Sequence, residues 1–334
     1  MLGKLKFSSR FQKRKGVIRM ETISIIGCGT MGHSIALSAA WAGMQVKMHG
    51  MNQQDIHNAK KGLQQKINVL CANDMLKKEE ANHIQQNIIL SDQLDEVIMH
   101  ATFIIEAIPE ILDLKKDIYQ KIESVINENV VIASNTSGFK PSLLAENMQH
   151  PERLIVTHFW NPAHLIPLVE VVKGEQTNLA TVERAMQVMK AMHKHPILLH
   201  KEIPGFIGNR LQYALFREAQ SILDAGVATK EDIDAAVTYS IGRRLPVTGP
   251  LMTADMGGLD VFSAISNYLF EDLSTVSQSG TVLTKLVDEG KLGDKSGEGF
   301  YTWDADFSVQ KNTEREQILI HFLKNDLKIR EEKE

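Results

Sequence analysis

The sequence has few cysteines and no long apolar run. Its 334 residues include two cysteines, Cys28 and Cys71, which excludes a disulfide framework and indicates a reducing, cytoplasmic compartment. No CxxC or HExxH spacing occurs, so no metal site is predicted. No apolar stretch approaches the ~18 residues of a membrane-spanning helix, so no membrane partner is expected. The composition, 43% hydrophobic and 23% charged, is typical of a globular chain of about two domains.

Acidic residues are missing from the first 20 positions. Residues 1–20 carry seven basic side chains and no acid, which leaves 30 basic and 41 acidic residues for the rest of the chain. The body is therefore acidic, and nucleic acid is not expected as a partner. The basic stretch lacks the apolar centre of a secretory signal. It is predicted to be a disordered extension upstream of an ordinary start at Met20, with an organellar transit peptide as the alternative.

Residues 21–203 alternate between extended and helical patterns. A β-branched run at 22–26, a small apolar helix at 31–42 and an extended run at 44–49 make one βαβ unit. A long helical region at 54–86 precedes the other apolar runs, which lie at 87–90, 103–108, 130–133, 154–159, 165–172 and 197–199. Nearly continuous apolar strands between helices predict a largely parallel sheet.

From Pro204 on, the extended runs stop. Helical patterns follow at 209–225, 229–240, 258–270, 281–289 and 313–328. The second of these is opened by a capping pair, Thr229 and Asp232. The sequence therefore predicts an α/β domain over 21–203 and an all-α C-terminal domain over 204–334.

A glycine-rich turn follows the first predicted strand. It reads Gly27-Cys28-Gly29-Thr30-Met31-Gly32, a GxGxxG motif at the start of a helix. Gly27 permits a tight turn, Gly29 lets the backbone approach a pyrophosphate, and Gly32 lets the helix pack on the strand. The free N–H groups of the first helical turn, at Thr30 and Met31, favour phosphates. The motif predicts a Rossmann-type domain that binds a dinucleotide such as NAD.

The acid that completes such a motif is missing. An Asp or Glu about 20 residues further on, at the end of the second strand, ordinarily binds the ribose 2′-hydroxyl of NAD. Here the second strand ends at Gly50, and residues 51–54 hold no arginine for the 2′-phosphate of NADP. NAD is therefore the expected cofactor, and NADP stays open as the alternative.

A histidine and an acid lie on two successive apolar runs. His158 ends one run, and Asn161-Pro162-Ala163 interrupts the chain before the next run reaches Glu170. A fold-back there would set the carboxylate beside the imidazole. Such a pair makes a general base, because the carboxylate orients the ring and stabilises its charged form. A histidine after a strand more often has a structural role. Here the neighbouring motifs favour the catalytic interpretation.

Six motifs occur in an informative order. They are the glycine-rich turn and the stretches at 134–138, 154–162, 168–172, 204–210 and 295–301, which together span about residues 21–304. The set resembles the 3-hydroxyacyl-CoA dehydrogenase family. The resemblance implies a nucleotide-binding domain, a helical dimerisation domain and an active site between them. It also implies a homodimer that oxidises the 3-hydroxyl of a short-chain L-3-hydroxyacyl-CoA with NAD.

The resemblance assigns a role to each matching residue. It implies that His158 takes the proton of the substrate hydroxyl while Glu170 holds His158. Ser137, Asn161 and Asn209 match positions that hydrogen-bond the substrate. The alternative for each of these three residues is a cap or a turn, and Asn161, which precedes Pro162, best suits both roles.

Three further residues match positions near the cofactor, namely Glu110, Lys115 and Asn135. For Glu110 and Lys115 the alternative is a solvated place at a helix start. The substrate also has alternatives, because relatives act on free hydroxy acids such as carnitine or gulonate, and one is a lens protein. A dehydrogenase of a free hydroxy acid and a non-catalytic nucleotide-binding or structural protein are therefore the competing interpretations.

Overall fold

The chain forms two compact units in a computed structural model that describes residues 21–333. One unit extends to Phe206 and includes the chain again from Leu319, and the other spans Ile207–Ile318. The sequence predicts a single helical domain over 204–334, whereas the structure groups the chain after Leu319 with the α/β unit. The predicted basic extension, residues 1–20, lies outside the described residues.

An eight-stranded sheet forms the centre of the first unit. Its strands are β1 (Thr22–Ile26), β2 (Gln45–His49), β3 (Ile88–Ser91), β4 (Phe103–Glu106), β5 (Val131–Ser134), β6 (Leu154–Phe159), β7 (Leu168–Lys173) and β8 (His195–Leu199). Their order is β3-β2-β1-β4-β5-β6-β7-β8. Strands β1 to β6 are parallel, whereas β7 and β8 run antiparallel to β6. The predicted Rossmann-type α/β fold with a largely parallel sheet is confirmed.

Seven helices connect these strands. They are α1 (Thr30–Trp41), α2 (Gln53–Ala72), α3 (Lys78–Gln86), α4 (Leu94–Ile98), α5 (Leu112–Glu123), α6 (Pro141–Leu144) and α7 (Leu179–Ala191). The predicted helical region at 54–86 is two helices, α2 and α3. Asp74 interrupts it with a φ of 57°. The second helix then starts where Glu80 Oε2 accepts a hydrogen bond from Lys77 N at 2.8 Å.

The strands bury side chains on both faces of the sheet. In β4, Phe103 and Ile105 pack into a core that α1, α2 and α7 cover. Ile104 points to the opposite core, which α4, α5 and α6 cover. Because both of their faces are buried, the central strands β4, β5 and β6 read as nearly continuous apolar runs in the sequence.

The second unit is helical, as predicted. It contains α8 (Gly208–Asp224), α9 (Lys230–Ala236), α10 (Gly242–Arg244), α11 (Pro250–Gly257), α12 (Leu259–Leu269), α13 (Thr281–Asp288) and the first part of α14 (Ala305–Lys333). The sequence pattern does not predict α11, which begins at Pro250 in the first helical turn. Every residue between Ile207 and Ile318 is at least partly exposed. This unit therefore has no fully buried core in the single chain.

The last helix belongs to both units. It begins at Ala305, eight residues before the predicted start at 313. Its later part belongs to the α/β unit, since Ile320 is buried in the core that includes α1. No helix among residues 21–333 is long and apolar enough to cross a membrane.

Candidate active site

Four parallel strands end side by side at one edge of the sheet. Strands β1, β4, β5 and β6 are consecutive neighbours, so the loops after them meet at the carboxyl edge. The glycine-rich turn follows β1, Glu106 ends β4, Asn135 follows β5, and His158 lies near the end of β6. The strand order reverses between β1 and β4, which is where open parallel sheets bind ligands. The fold therefore places the predicted cofactor turn and the predicted base on one edge.

The glycine-rich turn has the shape that a pyrophosphate requires. Gly27 has a φ of 101°, and a Cβ at this position would lie 2.6 Å from the carbonyl oxygen of Ala107. A Cβ at Gly32 would lie 1.9 Å from the carbonyl oxygen of Gly27, so the helix packs tightly on the turn. Gly29, in contrast, borders open space.

Helix α1 begins directly behind this open space. No side chain caps its first turn, which contains Thr30 and Met31, and no acidic residue lies there. Uncapped N–H groups and the helix dipole attract phosphate. The turn and the helix start therefore fit the diphosphate of NAD.

His158 and Glu170 face each other across β6 and β7. They are directly paired in the antiparallel register, and His158 Nδ1 lies 2.8 Å from Glu170 Oε2. A carboxylate only accepts hydrogen bonds, so Nδ1 is the donor and Nε2 keeps its lone pair. The structure thus brings together the pair that the sequence predicts.

The imidazole of His158 lies in apolar surroundings. The Trp160 and Phe206 rings each have their centroids 5.5 Å from its own, and His158 is only 5% exposed. Burial makes a charged ring costly, whereas the fully buried Glu170 carboxylate offsets that cost. This arrangement suits a group that gains a proton during a reaction and loses it afterwards.

Glu170→Gln is expected to lower turnover and to move the acid limb of the pH–rate profile to lower pH. The amide removes the negative charge that faces His158, so the imidazolium formed in the reaction loses its neighbouring carboxylate. Steady-state rates across the pH range measure this effect. Glu175→Gln, an exposed acid after β7, is the matched control. An acid limb that stays in place in a folded Glu170→Gln variant would contradict the pairing.

A buried acid at the end of β4 organises the same edge, although the sequence interpretation did not include it. Glu106 Oε1 accepts from Lys115 Nζ at 2.6 Å and from Ile108 N at 2.8 Å. Its Oε2 accepts from Tyr119 OH at 2.5 Å and from Ser134 Oγ at 2.6 Å. Burial, together with the Glu106 charge, holds the pKa of Tyr119 well above its usual value. The available signal was a charged residue that ends an otherwise apolar strand.

Lys115 is buried, and the alternative interpretation, a solvated lysine at a helix start, is wrong. Its side chain is 1% exposed, and Nζ lies 3.3 Å from Glu110 Oε2 in addition to its contact with Glu106. Glu110 in turn accepts hydrogen bonds from Ser137 N at 3.1 Å and from the Thr136 hydroxyl. Lys115 therefore positions Glu110, and Glu110 positions the loop that carries Ser137.

The remaining predicted residues occupy separate places. Asn135 Oδ1 accepts from Phe159 N at 2.9 Å and so ties the end of β5 to β6. Asn161 is exposed in the turn after β6, at a cis peptide bond to Pro162. Asn209 lies in the first turn of α8 in the second unit. Its predicted contact with substrate stays a prediction.

A turn shaped for a pyrophosphate and a histidine–carboxylate pair on one edge of the sheet are the arrangement expected of an NAD-dependent dehydrogenase. Comparison with known families extends this assignment. Residues 22–203 match the NAD binding domain of 3-hydroxyacyl-CoA dehydrogenase, and residues 205–303 match the C-terminal domain of the same family. The chain belongs to the 3-hydroxyacyl-CoA dehydrogenase family.

Three similarities illustrate the range of this family. The chain is 32% identical to 5-formyl-3-hydroxy-2-methylpyridine 4-carboxylate 5-dehydrogenase of Mesorhizobium japonicum over 90% of this chain and 96% of that protein. A crystal structure of an enzyme with that activity, described as an NAD-dependent dismutase, superposes with a TM-score of 0.84 over 90% of this chain and 97% of that one, at 32% identity. The mitochondrial hydroxyacyl-coenzyme A dehydrogenase of Sus scrofa is 31% identical over 86% of this chain and 92% of its own length.

Proposed function

We propose that this chain uses NAD to oxidise the 3-hydroxyl of a short-chain L-3-hydroxyacyl-CoA to the 3-keto product. The observation that carries the proposal is the 2.8 Å contact between His158 Nδ1 and Glu170 Oε2 at the sheet edge that bears the glycine-rich turn. Acyl-CoA is supported as the substrate class because both matched domains are those of 3-hydroxyacyl-CoA dehydrogenase.

His158 is the general base in this proposal. Since Nδ1 donates to Glu170, Nε2 accepts the proton of the substrate hydroxyl. The Glu170 carboxylate stabilises the imidazolium until that proton leaves to solvent. NAD, when bound, supplies the nicotinamide that accepts the hydride. Ser137, Asn161 and Asn209 are proposed to hydrogen-bond the substrate and hold its hydroxyl against His158.

A free hydroxy acid is the second candidate substrate. The relative from Mesorhizobium japonicum is named for a pyridine carboxylate, without CoA, and its similarity extends over 96% of its length. The crystal structure of an enzyme with that activity superposes with a TM-score of 0.84. Both observations favour a carboxylate substrate without a CoA carrier.

The cytoplasmic location stays a prediction.

A substrate panel tests these proposals. The purified protein with NAD is given L-3-hydroxybutyryl-CoA, free L-3-hydroxybutyrate, carnitine or 5-formyl-3-hydroxy-2-methylpyridine 4-carboxylate, and NADH formation is followed by absorbance. Turnover with the CoA ester alone is the expected result. Turnover only with a free acid would replace the first candidate by the second. No turnover with any substrate, at intact NAD binding, would favour a non-catalytic role.

We also propose that the chain is a homodimer through its helical unit. None of the residues between Ile207 and Ile318 is buried, yet many of them are large and apolar. On α12, Val261, Ile265 and Tyr268 are 48%, 40% and 67% exposed at helical spacing. A face of this kind is more apolar than a monomer ordinarily exposes, and a second copy would cover it symmetrically.

Sedimentation at micromolar concentration is expected to show a dimer, and Ile265→Glu is expected to convert it to a monomer. The carboxylate would be buried without a partner in the proposed interface, which costs several kcal/mol per subunit. Gln278→Glu adds the same charge at an exposed polar position and serves as the control. A monomeric wild type, or a dimeric Ile265→Glu variant, would contradict the proposed interface.

A further inference from the structure

The end of β2 has no room for the acid that ordinarily binds the adenosine ribose. Gly50 follows β2 there, and its φ is not positive. A Cβ at Gly50 would nevertheless lie 2.8 Å from Cys28 Sγ and 3.1 Å from Ile56 Cγ1. Cys28 belongs to the glycine-rich turn, and its side chain would have to move to admit an aspartate at position 50. The usual place for the acid is therefore occupied.

The polar residues that follow Gly50 are engaged within α2 and with its neighbours. Asn52 Oδ1 accepts from Asp55 N at 2.9 Å and caps the helix. Gln53 Nε2 donates to Asp92 Oδ2 at 2.6 Å. Gln54 Nε2 donates to Asn58 Oδ1 at 3.0 Å along the helix. These three side chains hold α2 and its contact with the end of β3.

Asp55 differs from these neighbours. Its Cβ lies 3.5 Å from the place that a Cβ at Gly50 would occupy. Among residues 21–333, no donor forms a hydrogen bond with its carboxylate, and the side chain is partly exposed. Burial and the Asp55 charge together raise the pKa of the Cys28 thiol. The carboxylate therefore lies close to the glycine-rich turn.

We propose that Asp55 replaces the missing acid, accepts hydrogen bonds from the adenosine ribose hydroxyls of NAD and disfavours the 2′-phosphate of NADP. The Asp55 side chain starts 3.5 Å from the place where the Cβ of the ordinary acid would lie, although it comes from the first turn of α2 and not from the strand. Both ribose hydroxyls are donors, and a carboxylate with open lone pairs accepts from both. Its negative charge repels a phosphate at the same position.

Equilibrium calorimetric titration of NAD and NADP into the wild type and Asp55→Asn tests this role. The wild type is expected to prefer NAD. Asp55→Asn keeps the backbone N–H that Asn52 caps, and it is expected to weaken NAD binding about 10- to 100-fold, the effect of one lost charge-assisted hydrogen bond. NADP affinity is expected to stay the same or increase. Asp95→Asn, in the first turn of α4, is the matched control and is expected to change neither affinity.

Two further variants complete the test. Asp55→Ser provides a second neutral side chain, and circular dichroism verifies that each variant is folded. Gly50→Asp is expected to weaken NAD binding, because its Cβ would displace Cys28. NAD affinity within about twofold of the wild type in folded Asp55→Asn and Asp55→Ser would overturn the proposal, as would an NADP-preferring wild type. Because titration needs no substrate, the result does not depend on whether the substrate carries CoA.

Discussion

His158→Gln is expected to lower turnover by about 10²- to 10⁴-fold, the range typical of a lost general base. Glutamine is close to histidine in size and still forms a hydrogen bond with Glu170, so the β6–β7 pairing is preserved. Its amide cannot accept and release a proton at neutral pH. The rate is measured with the substrate that the panel identifies, at saturating NAD and substrate.

Two controls separate catalysis from folding in that experiment. Calorimetric titration is expected to give an unchanged NAD affinity, since the glycine-rich turn follows β1, and two strands, β4 and β5, separate β1 from β6 in the sheet. His150→Gln, at a side chain that is 40% exposed beside Glu152, is expected to leave turnover unchanged. A folded His158→Gln variant with near-normal turnover would remove His158 from its proposed role.

Lys115→Met is expected to lower the free energy of unfolding by about 3–5 kcal/mol. The substitution removes the ammonium from Glu106, which is fully buried, and a buried charge without its partner is strongly destabilising. The loss should fall at the lower end of that range, because Ile108 N, Tyr119 and Ser134 still donate to Glu106. Urea unfolding followed by circular dichroism gives the value.

The neighbouring residue supplies a matched control. Lys116 pairs with Glu146, which is 61% exposed, so Lys116→Met is expected to cost less than about 1 kcal/mol. Combining Lys115→Met with Glu106→Gln removes the buried charge and is expected to recover part of the loss. Equal, small effects of the two lysine substitutions would show that the Glu106 pair does not hold this edge together.

Local patterns predicted much of the molecule. Short extended runs located all eight strands, most clearly β4, β5 and β6, which are buried on both faces. The GxGxxG motif placed the cofactor turn, because only glycine fits beside Ala107. The sequence also predicted that His158 and Glu170 lie side by side, since a short break between two extended runs favours an antiparallel pairing. These inferences depend on residues that are close in the chain or on steric limits of single residues.

Other features were decided by contacts between distant segments. The sequence could not show that Lys115 is buried against Glu106, because burial of a helix-start lysine depends on β4 and β5 lying beneath it. It showed that the acid is missing at Gly50, but not that Cys28, 22 positions earlier in the sequence, lies where the side chain of that acid would start. Ile320 joins the α/β core although the last strand, β8, ends more than a hundred residues earlier in the chain. The sequence by itself determined the elements and their chemistry, and the tertiary structure decided which side chains are enclosed, because enclosure depends on neighbours that no local pattern specifies.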